Sequence, residues 1–162
     1  MKKYIILALL IIIVFLTGCG IYNLDNFIVP NDIQFLECVA GLDTVPKIAQ
    51  YMTDNFTYKS IISPMSPYEV WQTKKCDCDG YAVFGVFVAR QHGIEAYQVK
   101  VWYTNEDKHM NAVYKIGDYW MLTNCHLLFG MFSSIEEAII WDANYMEREL
   151  IKYKILNGVG KE

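Results

Sequence analysis

The chain has 162 residues, a length that fits one domain. With 54% hydrophobic and 20% charged residues it is too apolar to be a disordered chain. Its formal charge of −4, without any Lys/Arg stripe interleaved with aromatics, excludes an electrostatic grip on nucleic acid.

Lys2 and Lys3 open the chain, and Tyr4 to Leu16 is an almost unbroken apolar run. A run of about 13 residues is shorter than the roughly 20 that span a bilayer. A basic start, a short apolar core and a small-residue cleavage site describe a secretory signal. Leu16-Thr17-Gly18-Cys19 resembles the bacterial lipobox. That resemblance implies cleavage before Cys19 and acylation of Cys19 as the mature N-terminus. The expected organisation is a signal peptide over 1–18, a lipidated N-terminus and tether over 19–40, and one domain over 41–162. Losing Lys2 and Lys3 with the leader leaves about −6 on the mature part. The expected location is the cell envelope, lipid-anchored to a membrane and facing outside the cytoplasm. An uncleaved apolar anchor would tether the domain as well.

Pro30-Asn31-Asp32 reads as a turn within the tether. Asp43 or Thr44 can cap a helix running to about Asn55, with Pro46 in its first turn, where a missing N–H costs little. Val45, Ile48, Ala49 and Met52 recur at three- and four-residue steps, which puts them on one buried face. Residues 56–67, with two prolines and three serines, read as a loop. A short helix follows, with Ser66 as N-cap, Pro67 at the first helical position, Glu69 completing a capping box, and an end near Lys74. Cys78 to Gln91 is apolar nearly all round, the pattern of a buried central helix, and His92-Gly93 stops it. Ala96–Thr104, His109–Ile116 and Tyr119–Asn124 read as strands, with Gly117-Asp118 as a hairpin turn. Residues 134–152 read as a closing amphipathic helix with Ile135, Ala138, Ile139, Met146 and Leu150 inward and its acidic residues solvated. Helices followed by an antiparallel sheet make the fold class α+β.

Three residues in this order carry chemistry. Cys78 opens the buried helix, where the positive end of the macrodipole favours thiolate over thiol. His109 starts a strand, and a neutral imidazole there can take the thiol proton and later protonate a leaving amine. Asn124 ends the neighbouring strand and can hold the imidazole in a useful orientation. With the hairpin turn at 117–118, His109 and Asn124 lie opposite one another or one step off. Directly opposed β-carbons are about 4.5–5.5 Å apart, which is hydrogen-bonding reach for the side chains.

Cys78-Asp79-Gly80-Tyr81-Ala82 resembles the Cys-x-x-Tyr-Ala signature of the transglutaminase-like, papain-like superfamily. His92-Gly93-Ile94-Glu95-Ala96 is similar to the bend after that family's catalytic helix. His109 with Tyr119-Trp120-Met121-Leu122-Thr123-Asn124 is similar to its later His and Trp block. The similarity spans roughly residues 43–126. It implies a central helix starting at the catalytic Cys and packed on an antiparallel sheet. It also implies catalysis by Cys78, His109 and a third residue, here Asn124 where many members carry Asp. Lys75-Cys76 stands where Gly is common. The backbone N–H of Cys78, with Tyr58, Trp71 or Gln72, is the candidate oxyanion donor.

The function these readings imply is thiol acyl transfer. Cys78 forms a thioester with an amide or peptide substrate, and either water or an amine resolves it. The envelope location points to an exported protein or peptide, or a peptidoglycan peptide, as substrate. The mechanism requires no organic cofactor and no metal. The competing reading is a catalytically inactive binding module that keeps the scaffold. Zinc held by Cys76, Cys78, His92, His109, Cys125 and His126 is a further alternative, but one Cys-x-Cys pair without a second does not have the usual spacing of structural zinc. Disulfides among Cys38, Cys76, Cys78 and Cys125 would leave an odd thiol if Cys78 stays free.

Overall fold

The computed structural model describes residues 22–104 and 107–156. The expected signal peptide and Cys19 lie outside the described residues. Among the described residues no helix is long and apolar enough to cross a membrane.

Chain order runs α1 (Ile33–Gly41), α2 (Val45–Asn55), β1 (Thr57–Tyr58), α3 (Pro67–Thr73), β2 (Lys75–Cys76) and α4 (Cys78–Gln91). Then come β3 (Ala96–Tyr103), β4 (Lys108–Ile116), β5 (Tyr119–Asn124), β6 (Leu127–Phe132), α5 (Ile135–Tyr145) and β7 (Leu150–Leu156). The fold is α+β, as the order of elements predicts. Strands β6-β5-β4-β3-β7 form one sheet, antiparallel throughout.

Local chemistry sets the helix starts. Thr44 precedes α2, which has Pro46 in its first turn and buries Val45, Ile48, Ala49 and Met52. Ser66 and Glu69 form the capping box of α3: Ser66 Oγ accepts from the Glu69 N–H at 3.2 Å, and Glu69 Oε2 accepts from the Ser66 N–H at 2.7 Å. Asp77 caps α4 through the Gly80 N–H at 3.2 Å. Every residue of α4 from Gly80 to Ala89 is buried, so this helix is the axis of the molecule.

The sheet is covered on both faces. Ala96, Met110, Ala112, Tyr114 and Leu156 face α4 and share its core with Phe35, Ile48, Met52 and Val70 from the first three helices. Val99, Val101, Tyr103, Val113, Leu122 and Phe132 pack instead against Ala138, Ile139 and Ala143 of α5. Alternation along each strand divides the two cores cleanly.

Four features depart from the expectations. The stretch expected to be a tether with some early structure goes further and joins the core: Asp32 Oδ1 caps α1 at Gln34 and Phe35, and Phe35 is buried. Thr57–Tyr58 pairs in parallel with Lys75–Cys76 inside what reads as a loop. The closing helix stops at Tyr145, and Leu150–Leu156 joins the sheet beside β3. A further strand, β6, follows Asn124 after a two-residue turn in which Cys125 takes φ 52°. The 134–152 pattern misleads because β7 lies at an exposed sheet edge and carries lysines at alternate positions, leaving little apolar alternation to read.

Candidate active site

Cys78 is the first residue of α4, held in place by the loop before it. The Thr57 N–H donates to Lys74 O at 2.8 Å and the Lys59 N–H to Cys76 O at 2.9 Å, so β1 straps the loop down. Asp77 also accepts from the Ile61 N–H at 3.4 Å. Gly80 is required by close approach, because a β-carbon there would collide with the Cys76 side chain. This gives the Cys-Asp-Gly-Tyr-Ala run a physical reason: the helix start is pressed against the strap that aims its thiol. Cys38, Cys76, Cys78 and Cys125 are free thiols.

His109 enters from β4 on the face that carries α5, whereas Met110, the next residue, faces α4 and directs its backbone N–H to Cys78. Cys78 thus lies against the residue that follows His109, at the end of the sheet where β4 runs on beyond β5. The register of the hairpin is Asn111↔Asn124, so His109 lies two residues beyond the residue facing Asn124, on the same face and diagonal to it. The contact forms nonetheless: His109 Nε2 donates to Asn124 Oδ1 at 2.8 Å. That leaves Nδ1 as the nitrogen able to act as a base.

The network goes deeper than the three residues legible in the sequence. Asn124 Nδ2 donates to Asp142 Oδ1 at 2.8 Å, and Asn111 Nδ2 donates to Asp142 Oδ2 at 2.8 Å. Asp142, on α5, is 0% exposed, which corrects the expectation that the acidic residues of this helix are solvated. A signal for it existed: position 142 follows Ala138 and Ile139 by four and three residues, the spacing of the inward face.

Resting electrostatics favour a neutral pair. Burial pushes the Cys78 thiol up from 9.0 to about 12, with Asp79 and Asp77 adding to the rise and the Met110 N–H opposing it. That rise corresponds to roughly 4 kcal/mol, more than the about 2 kcal/mol a helix end supplies at best. Burial thus opposes the thiolate that the helix start favours. The thiol's hydrogen-bond partner is Asp79 Oδ1, at 3.7 Å. Burial likewise holds the His109 imidazole below its ordinary value, against upward pulls from Asn124 and Asp142. Such electrostatics suit an imidazole that is neutral at rest.

Of the candidate oxyanion donors, Trp71 is committed elsewhere: its indole N–H is directed to the Tyr51 hydroxyl, and its ring stacks on Tyr68. Tyr58 sits on β1 within the field of Cys78, Asp77 and Asp79, which with burial raises its hydroxyl. His92 donates to the Val39 carbonyl at 2.8 Å and fastens α1 to the end of α4, remote from the chemistry. An open cavity of about 380 Å³ lined by Trp102, Tyr103, Lys108 and Lys152 adjoins the His109 end of β4. Among the described residues no group of His, Cys, Asp and Glu is placed to hold a metal ion.

Comparison with known proteins agrees with this fold. The family model described as the transglutaminase-like superfamily matches residues 37–141. No curated protein matches the chain. Among solved structures, calcium-bound Legionella pneumophila LapG is similar at 12% identity and TM-score 0.51, over 77% of this chain and 77% of its own. A second Legionella pneumophila LapG structure is 11% identical with TM-score 0.50, over 75% and 72%. A Cytophaga hutchinsonii structure, provisionally described as a cysteine protease, is 12% identical with TM-score 0.49, over 79% of this chain and 53% of that one. The chain therefore spans about half the length of that Cytophaga hutchinsonii protein. At these identities the two LapG likenesses show the fold.

Proposed function

Because the chain belongs to the transglutaminase-like superfamily, we propose that it is a thiol acyl-transfer enzyme of the cysteine peptidase kind, with Cys78 as nucleophile, His109 as base and Asn124 as the residue that orients the base. The observation that carries this reading is the 2.8 Å bond from His109 Nε2 to Asn124, formed across strands beside the helix that begins at Cys78. Cys78 Sγ attacks the carbonyl carbon of an amide while its proton passes to His109 Nδ1. The C–N bond then breaks, and the leaving amine takes that proton. Water, deprotonated by His109, next attacks the thioester and releases the acid and the free thiol. An amine in place of water gives transamidation. A peptide or protein outside the cytoplasm is the proposed substrate, with peptidoglycan peptide as one candidate.

A thiol-specific probe tests the catalytic reading. Full-length chain mixed with 4-nitrophenyl acetate should release a burst of nitrophenolate and carry one acetyl group on Cys78, located by peptide mapping. Cys78→Ala should abolish the burst, and His109→Gln should slow it by about 100-fold or more. Acetylation spread over several side chains, or indifferent to His109, would leave a binding module on the same scaffold.

The leader supports an envelope location, with cleavage after Gly18 and acylation of Cys19. Mass analysis of membrane-extracted protein should find an N-terminal peptide beginning at an acylated Cys19. An N-terminus still at Met1 would overturn the lipid anchor.

A further inference from the structure

Asp142 is a buried carboxylate without a cation: among the described residues neither Lys nor Arg forms an ion pair with it. Its hydrogen bonds come from neutral groups: the amides of Asn111 and Asn124, themselves 0% and 5% exposed, with the Tyr103 hydroxyl also interacting with it from β3. Burying a charge on such partners is costly, and nothing in the packing of α5 calls for it, since Ala138, Ile139 and Ala143 already seat that helix on the sheet.

We propose that Asp142 is the charged member of the site, a positioning residue that acts on His109 through Asn124. This proposal rests on the catalytic reading above. The logic is one of donors and acceptors. A carboxylate only accepts, so the amide of Asn124 must turn its Nδ2 to Asp142 and its Oδ1 to His109. An accepting Oδ1 in turn requires the proton of the neutral imidazole to sit on Nε2. Nδ1 is then the basic nitrogen, the one the catalytic reading assigns to the thiol proton. Asp142 thereby selects the imidazole tautomer from two hydrogen bonds away. It also places a negative charge behind Asn124, where it stabilises the imidazolium formed as the thiol gives up its proton. The carboxylate of the site thus sits on the helix, with the Asn124 amide as spacer between it and the imidazole.

An exchange of the two groups tests this. Asp142→Asn removes the one-way acceptor, so either end of the Asn124 amide can face His109. Asn124→Asp alone sets two carboxylates against each other. The double variant, Asn124→Asp with Asp142→Asn, restores a consistent chain: the carboxylate accepts from His109 and from the amide behind it, and that amide's oxygen accepts from Asn111. Each single variant should slow acetylation by 4-nitrophenyl acetate by about tenfold or more, and the double variant should recover most of the loss. Ring-nitrogen spectra of ¹⁵N-histidine-labelled full-length protein, with His109 assigned by signals lost in His109→Gln, should show the Nε2–H tautomer in the parent and a mixture in Asp142→Asn.

A rate and a tautomer both unmoved by Asp142→Asn would overturn the proposal, as would a folded double variant no better than the singles. Should Asp142→Asn fail to fold, the double variant decides, by recovery or its absence. If the parent itself is not acetylated on Cys78, the enzyme reading falls. The tautomer spectra then judge Asp142 alone: an Nε2–H form kept in Asp142→Asn overturns its role, and a mixture sustains it.

Discussion

At the scale of single residues, burial is the term that decides behaviour. It holds the His109 imidazole below its ordinary value of 6.5 and pushes the Cys78 thiol up. A neutral-pair mechanism needs neutral His109 and protonated Cys78, so kcat/KM should stay flat from near neutrality through the alkaline range in which the raised thiol keeps its proton. Its acid limb should fall below the ordinary histidine value. A preformed ion pair would instead show an alkaline limb as the imidazolium loses its proton, so a pH–rate profile separates the two. The same depression has a consequence for stability. Between the folded pKa and 6.5 the unfolded chain binds more protons than the native one, so His109 adds nothing adverse above 6.5 and costs stability as the pH falls below it. Urea midpoints measured at pH 7 and pH 5 should therefore drop less in His109→Gln than in the parent.

At the scale of elements, the starts of α2 to α5 were the legible part. Ser66-Pro67-Tyr68-Glu69 announces α3, and the capping box forms as its spacing demands. Ser66→Ala should cost about 1 kcal/mol, read as a lower urea midpoint at unchanged slope. The limits of α4 and the hairpin turn at Gly117 were equally legible, because caps, apolar runs and positive-φ glycine are local signals. Cys78, His109 and Asn124 follow from that frame. What remained hidden depends on partners far along the chain. The strand Leu150–Leu156 exists because β3 offers it an edge. The β1–β2 pairing exists because the loop at 75–76 returns to 57–58. Asp142 looks like a surface acid until α5 is laid on the sheet, where its oxygens meet two amides from different strands.

At the scale of the molecule, two cores share one sheet, and α4 runs through the larger of them. Phe84 is buried there between the rings of Tyr51 and Phe56. Phe84→Ala should cost about 3–5 kcal/mol, a large part of a typical domain's total of about 5–15 kcal/mol, and circular dichroism should record a correspondingly lower Tm. The four groups at the site sit at positions 78, 109, 124 and 142, on one helix, two strands and a second helix. Separate lobes do not each carry half of them, and no hairpin carries them all. The network needs the sheet closed and both helices docked, contacts of long sequence separation that form late because loop closure comes first. On refolding, the His109-dependent acetylation of Cys78 should therefore return with the last phase of tertiary fluorescence and not with the early gain of helix. A chain caught halfway, newly made or partly unravelled, would carry its thiol as an inert side chain, so on the catalytic reading the order of folding would itself keep the chemistry silent until the domain is whole.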